Sequence, residues 1–405
     1  MTKRSGFLAA FRVVEFRALW GAEALSQLGD QLARVALAVL VYARTNSAAL
    51  AALTLALSIL PSFIGSTLFA GLADRYPRRE VMVVCDVIAA ALVIVMSIEG
   101  MPLGIVCLAM AGVSFVGGPF KSARLALLPE VLSGEAYVAG LAARGITIQI
   151  AQLLGFTAGG LVVALINPYV ALAIDAGTFL LSALLVRIYV PYRPAPASPS
   201  ARKLFWASTA RGAKIIASIP GLRSLYVLTM LAGLYVGPEG LAPAWSAELG
   251  ETAKVVGLLM AAPAAGLIVG SWAFTKFAGP ELRPRLVGPL AALTGFCLML
   301  CVFQPGLWVA LALLVLSGLC SSYQVQVGAT FATSAPAESR AQVMGLLNSG
   351  VLTAQGLGVV LAGVVAEQIG VANTVALAGG IGLVIALPAA AAWNRATAAR
   401  ETATG

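Results

Sequence analysis

Ala70-Gly71-Leu72-Ala73-Asp74-Arg75-Tyr76-Pro77-Arg78-Arg79 is a knot of charge set between two apolar runs, 47–72 and 79–99. A helix needs roughly 20 apolar residues to cross a bilayer. The knot therefore reads as a short turn in water joining two membrane spans. Working outward, the same alternation covers the chain. One more run precedes it at 16–43. Others follow at 103–125, 140–166, 168–190, 221–246, 253–276, 284–304, 306–330, 341–366 and 370–393. The expected fold class is all-α integral membrane, with twelve transmembrane helices.

Cationic residues sit in every second gap. They are Lys3, Arg4, Arg12 and Arg17 at the N-terminus, then Arg75, Arg78 and Arg79, then Lys121, Arg124 and Arg144. A central group follows from Arg187 to Arg223, then Lys276, Arg283 and Arg285, then Arg340, Arg395 and Arg400. The opposite gaps hold only Arg44 and Lys254, and Arg34 lies inside the first run. Cationic loops stay on the cytoplasmic side. Both termini are therefore expected inside, and the number of spans is even. The net charge of +9 is a topology signal. It is dispersed over short loops, unlike a nucleic-acid footprint, so no nucleic-acid partner is expected.

Hydrophobic residues make up 60% of the chain and charged residues 11%, far from a soluble domain. The first run is too long for a cleaved signal and reads as a mature span. Cys85, Cys107, Cys297, Cys301 and Cys320 all fall in spans, without a Cys-x-x-Cys pair. Neither disulfides nor a metal site are expected. With no histidine in the chain, proton chemistry falls to carboxylates.

The chain repeats itself. Phe16-Arg17-Ala18-Leu19-Trp20 opens the first span, and Leu222-Arg223-Ser224-Leu225-Tyr226 opens the seventh. Pro61 pairs with Pro263 at nearly the same offset. So do Ala151-Gln152, Gly155 and Gly160 with Ala354-Gln355, Gly358 and Gly363. Two six-helix bundles, 1–190 and 221–405, related by a parallel repeat, account for this. The linker 191–220 starts stiffly at Pro191, Pro194, Pro196 and Pro199. Ala201–Ser218 then sets Leu204, Phe205, Trp206, Ile215 and Ile216 against Arg202, Lys203, Arg211 and Lys214. That composition suits an amphipathic helix on an anionic membrane surface.

The knot resembles the loop motif of the major facilitator superfamily, in which Leu-Ala-Asp-Arg and two basic residues recur between the second and third spans. Here Ala70 stands where the leading Gly is usual, and Pro77 replaces the second Gly. Pro119 to Glu130 after the fourth run and Asp175 to Ala183 in the sixth are similar to the enterobactin-exporter-like and macrolide-efflux-like branch. Gly155 to Gly160 resembles that superfamily's antiporter motif, with Phe156 in place of Pro. The resemblance implies a cytoplasmic gate built from Gly71, Asp74, Arg75, Arg78 and Arg79, with Arg124 as the partner of Asp74. It implies a bacterial cytoplasmic-membrane transporter, multi-pass and monomeric, that works without a cofactor.

Inside the spans, Glu23, Gln27, Asp30 and Arg34 share one face of the first helix, at 100° per residue. A charge at the centre of a span costs about 2.5–3.5 kcal/mol on the insertion scale. The stripe should therefore face water or a partner helix. Asp30 and Arg34 form either a permanent pair or a proton-exchanging carboxylate tuned by its neighbour. In the seventh run, Tyr235, Gly237, Pro238, Glu239 and Gly240 loosen the helix, and Glu239 is a second coupling candidate. Glu23, Gln27, Gln31, Gln149, Gln152, Tyr235, Trp245, Tyr323, Gln326, Asn348 and Gln355 are candidate lining residues of a substrate cavity. The resemblance implies that Asp175 is a structural hydrogen-bonding residue and not a coupling site, and Asp86 is left without an assigned role.

No Walker-type Gly-x-x-x-x-Gly-Lys-[Ser/Thr] occurs, so ATP is not the direct driver. No nucleophile constellation marks an enzyme. The expected function is a secondary transporter rocking two six-helix domains. The resemblance points to proton-coupled export of small amphipathic compounds such as drugs, macrolides or siderophores. A facilitator or uptake symporter of the same fold, or a receptor or lipid-handling scaffold, would carry the same topology.

Overall fold

In the computed structural model, the described residues are 9–69, 72–194, 212–219, 221–334, 336 and 339–404. The spans are helices α1 (Val14–Thr45), α2 (Ala48–Leu68), α3 (Arg78–Met96), α4 (Leu103–Val131), α5 (Gly134–Leu165) and α6 (Pro168–Tyr189). They continue as α7 (Leu222–Glu248), α8 (Ala253–Phe277), α9 (Leu282–Phe303), α10 (Leu307–Ser334), α11 (Arg340–Ile369) and α12 (Val371–Thr404). Eleven of these are long and apolar enough to cross a membrane. The remaining one, α3, carries Arg78, Arg79, Glu80 and Asp86 within 19 residues. Large apolar side chains such as Leu108, Val384 and Trp308 stand exposed. In a multi-pass membrane protein that surface meets lipid.

Local chemistry sets several boundaries. Asn167 caps α6, its side chain accepting from the Val170 N–H at 2.8 Å, with Pro168 in the first turn. Gly370, at φ 82°, ends α11 in a conformation that glycine adopts without strain. The next N–H, that of Val371, donates to Glu248 at 3.0 Å. Helix α7 is interrupted at Leu231 and Val236, just before Gly237-Pro238. Helix α10 is interrupted at Ser321-Ser322, and α9 finishes in a 3-10 turn. The knot between α2 and α3 contains one helical turn, Leu72–Arg75. Of the expected linker helix, residues 195–211 lie outside the described residues, and 212–218 are helical.

Contacts divide the chain into two compact units. The first is Met1–Val41 with Leu57–Arg202, the second Tyr42–Ala56 with Lys203–Gly405. The border runs through the bodies of α1 and α2. Small residues let backbones meet within each unit, as they do in membrane bundles. In the first, Gly65 of α2 faces the Phe115 carbonyl and Gly118 of α4 faces Ser66. In the second, Gly358 of α11 faces the Gly233 carbonyl, and Gly266 of α8 faces that of Val315. The second unit's core centres on Tyr323, Trp393, Phe331 and the leucines of α7.

Candidate functional site

The polar stripe of α1 lines a cavity inside the first unit. Glu23, Gln27, Asp30 and Arg34 contribute from α1, joined by Lys121 and Arg124 of α4. Asp86 of α3 and Asp175 of α6 complete the ring of ionisable groups. The cavity volume is about 70 Å³. That is room for a few waters, well below the roughly 300–1,000 Å³ of a small-molecule pocket. Lys121 is exposed on its open side and donates to Ser62 Oγ at 3.3 Å.

The carboxylates are held in different ways. Glu23 is buried and doubly paired: Arg124 Nη2 lies 2.7 Å from its Oε1, and Arg144 Nε donates to both oxygens at 2.8 and 2.9 Å. One negative charge thus holds two guanidiniums, one of them fully buried, and the Arg124 Nε is left without a hydrogen-bond partner. Asp30 differs. Among the described residues it takes part in none of the ion pairs. Arg34 donates instead to Gln31 Oε1 at 3.1 Å. Of the two arrangements open for Asp30 and Arg34, the direct pair is not formed here. Asp86 accepts from the Ser182 hydroxyl at 2.6 Å, and Asp175 from that of Thr178 at 3.3 Å.

A second set of charges gathers where α3, α4 and α6 end. Arg78 pairs with Glu130 and donates to the Ala126 carbonyl at 2.9 Å. Arg79 bonds Glu80, which also takes Arg187. Arg193 meets Glu15 through both terminal nitrogens, and that carboxylate raises the guanidinium's affinity for its proton. Of the expected gate residues, Gly71 and the side chain of Asp74 lie outside the described residues, and Arg75 is exposed. Arg124, expected to serve Asp74, is committed to Glu23.

The sequence model of the Major Facilitator Superfamily matches residues 19–322. The chain belongs to that superfamily. Curated relatives include the multidrug efflux pump Tap of Mycolicibacterium fortuitum, 25% identical over 360 residues. That match covers 85% of this chain and 88% of the relative. Tap of Mycobacterium tuberculosis (strain ATCC 25618 / H37Rv) is 28% identical over 370 residues, covering 86% of each. Among solved structures, a POT family transporter in complex with a thioalcohol conjugated peptide matches with a TM-score of 0.75 at 11% identity. It covers 92% of this chain and 94% of its own. A mutant of the nucleoside transporter NupG matches with a TM-score of 0.70 at 16% identity, covering 93% and 99%. These likenesses establish the major facilitator fold and a transporter.

Within this superfamily member, the remaining candidates scatter. Gln31 is 1% exposed and packs against Gly155 of α5, so it is turned away from the cavity. Two expected lining residues of the second unit are buried. Trp245 is 1% exposed, and Tyr323 is sealed with its hydroxyl on the Leu228 carbonyl at 2.8 Å. Both are packing residues. Tyr235 reaches the Ala291 carbonyl at 3.4 Å. Gln149, Gln152, Gln326, Gln355 and Glu239 are partly exposed and Asn348 exposed, but the cavity draws on none of them. Lys121, Arg144, Asp86 and Asp175 were not among the expected site residues. The signal for one of them was present: Asp175, Thr178 and Ser182 stand at i, i+3 and i+7, the same test that singled out α1.

Proposed function

We propose that this chain is a proton-coupled exporter of small amphipathic compounds, with Asp30 as the group that exchanges the proton. One observation carries the reading: a carboxylate in the body of a membrane helix faces a water-sized cavity and, among the described residues, has no counter-ion at contact distance. A charge so placed is costly and is kept where it works. Glu23, clasped by two arginines, is the structural anion of the same stripe. The names of the curated relatives support efflux as the direction. Two six-helix bundles, 1–190 and 221–405, rocking as rigid bodies would expose Asp30 to either side in turn. The cationic gaps put both termini in the cytoplasm of a bacterial cell, with the chain in its cytoplasmic membrane.

One proton crossing 100 mV supplies about 2.3 kcal/mol, enough for a roughly 50-fold substrate gradient. The test is a susceptibility panel in an efflux-deficient bacterium, paired with transport in proteoliposomes. Asp30→Asn should abolish pH-dependent efflux while the protein still inserts. Undiminished coupling in that variant would remove Asp30 from the site. Substrate movement without any proton movement in the unmodified chain would favour a facilitator.

A further inference from the structure

We infer that α6 carries a proton path in which Asp175, Thr178 and Ser182 connect Asp30 of α1 to Asp86 of α3. The inference rests on Asp30 being the proton-exchanging group, and it adds a route and two further proton-binding residues. Residues 175, 178 and 182 form one stripe along α6. Thr178 Oγ1 donates to the Asp175 carbonyl at 2.8 Å and lies 3.3 Å from Asp175 Oδ1, and Ser182 Oγ lies 2.6 Å from Asp86 Oδ2. The stripe lies directly against α1 because Gly29 has no side chain. A Cβ there would stand 2.2 Å from Asp175 Oδ1 and 2.3 Å from Thr178 Oγ1. The residue beside it is Asp30.

Three features favour a path over packing. First, Asp175 and Asp86 are 1% and 2% exposed, line the cavity, and have no cation in ion-pair reach among the described residues. Second, the cavity they share with Asp30 has room for a few waters but is too small for a drug. At 1.5 Å per residue, Asp175 and Ser182 stand about 10 Å apart along α6, a distance that hydroxyls and a few waters can bridge. Third, the three aspartates come from three different helices, α1, α3 and α6, and meet at one cavity. The other charged groups facing Asp86 are Glu23 and Arg34 from α1, and Lys121 and Arg124 from α4, with Cys85 beside it on α3. Glu23 is occupied by its arginines, which leaves the three aspartates as carriers.

The transfer balances at each step. A proton from the outer water binds Asp30 and passes to Asp175. It is then handed through water and the two hydroxyls, each of which accepts one proton as it releases another. It arrives at Asp86 and leaves to the inner water, with no hydroxyl left charged. One proton moves in as one substrate moves out.

The experiment uses the full chain in proteoliposomes, with a pH-sensitive dye inside and ethidium as the transported probe. Asp175→Asn, Asp86→Asn and Ser182→Ala should each slow ethidium-driven proton flux by about tenfold or more, with ethidium binding unchanged. Ser182→Thr, which keeps a hydroxyl, should restore the flux. Flux at the unmodified rate in Asp86→Asn and Asp175→Asn, with Asp30→Asn inactive, would overturn the path and leave Asp30 standing. No proton flux in the unmodified chain would instead overturn the coupling itself. Failure of Ser182→Thr to restore what Ser182→Ala loses would assign Ser182 to packing and sink the route.

Discussion

Helices α1 and α7 begin alike and diverge inside the membrane. In the register that aligns Arg17 with Arg223, the positions of Glu23, Gln27, Asp30 and Arg34 are taken in α7 by Thr229, Gly233, Val236 and Gly240. The charged stripe of α1 becomes a set of contact points in α7. Thr229 turns its hydroxyl back onto the Leu225 carbonyl at 2.7 Å. Gly233 receives the backbone of α11 at Ala354, and Gly240 receives the Val359 side chain of the same helix. The contrast extends to the units. Every fully buried charged residue among those described, namely Glu23, Asp86, Arg124 and Asp175, belongs to the first. Buried charge is thus concentrated in one of the two units. The other spends the same positions on close packing.

The harshest way to break this contrast is to remove the anion that the first unit is organised around. Glu23→Gln leaves Arg124 and Arg144 close together, one fully buried, with no negative charge between them. Breaking a buried pair by removing one partner costs about 3–5 kcal/mol. Thermal unfolding in detergent should show that loss, and Glu23→Gln combined with Arg124→Met should recover part of it. A variant as stable as the parent would mean that the triad is not what holds α1, α4 and α5 together.

Gly358→Ala probes the other side. Its Cβ would lie 1.8 Å from the Gly233 carbonyl oxygen, so one backbone must move. Overpacking of this kind costs about 1–3 kcal/mol and should lower the yield of folded protein. The matched change in the first unit is Gly29→Ala, where the obstructions are the ends of the Asp175 and Thr178 side chains and not backbone. It should cost less stability and more proton flux. Equal effects of the two alanines on stability and flux would erase the distinction between a packing unit and an ion-handling unit.

Much of this was legible before any coordinates. Apolar run lengths and alternating cationic gaps report single-chain properties that a bilayer enforces directly. The α1 stripe and the break at Gly237-Pro238 are local as well. Partnerships were not legible, because they depend on which helices pack together. Glu23 and Arg144 are far apart in sequence, as are Asp86 and Ser182. Arg124 could not be assigned between Asp74 and Glu23 by loop position alone. Trp245 and Tyr323 were ambiguous for a different reason. A large aromatic with a polar handle suits a cavity wall or a sealed core equally well, and only burial separates them.

Tyr323 offers the smallest and most selective test. Its hydroxyl donates to the Leu228 carbonyl, close to the point where α7 is interrupted at Leu231. That bond steadies the second unit's core without touching any ionisable group. Tyr323→Phe keeps the ring and deletes one buried hydrogen bond, at a cost of about 1 kcal/mol. The expected result is a slightly lower unfolding midpoint with substrate-driven proton flux at the parental rate. A marked fall in flux would show that the second unit also shapes the proton step. The division of labour between α1 and α7 would then have to be drawn elsewhere.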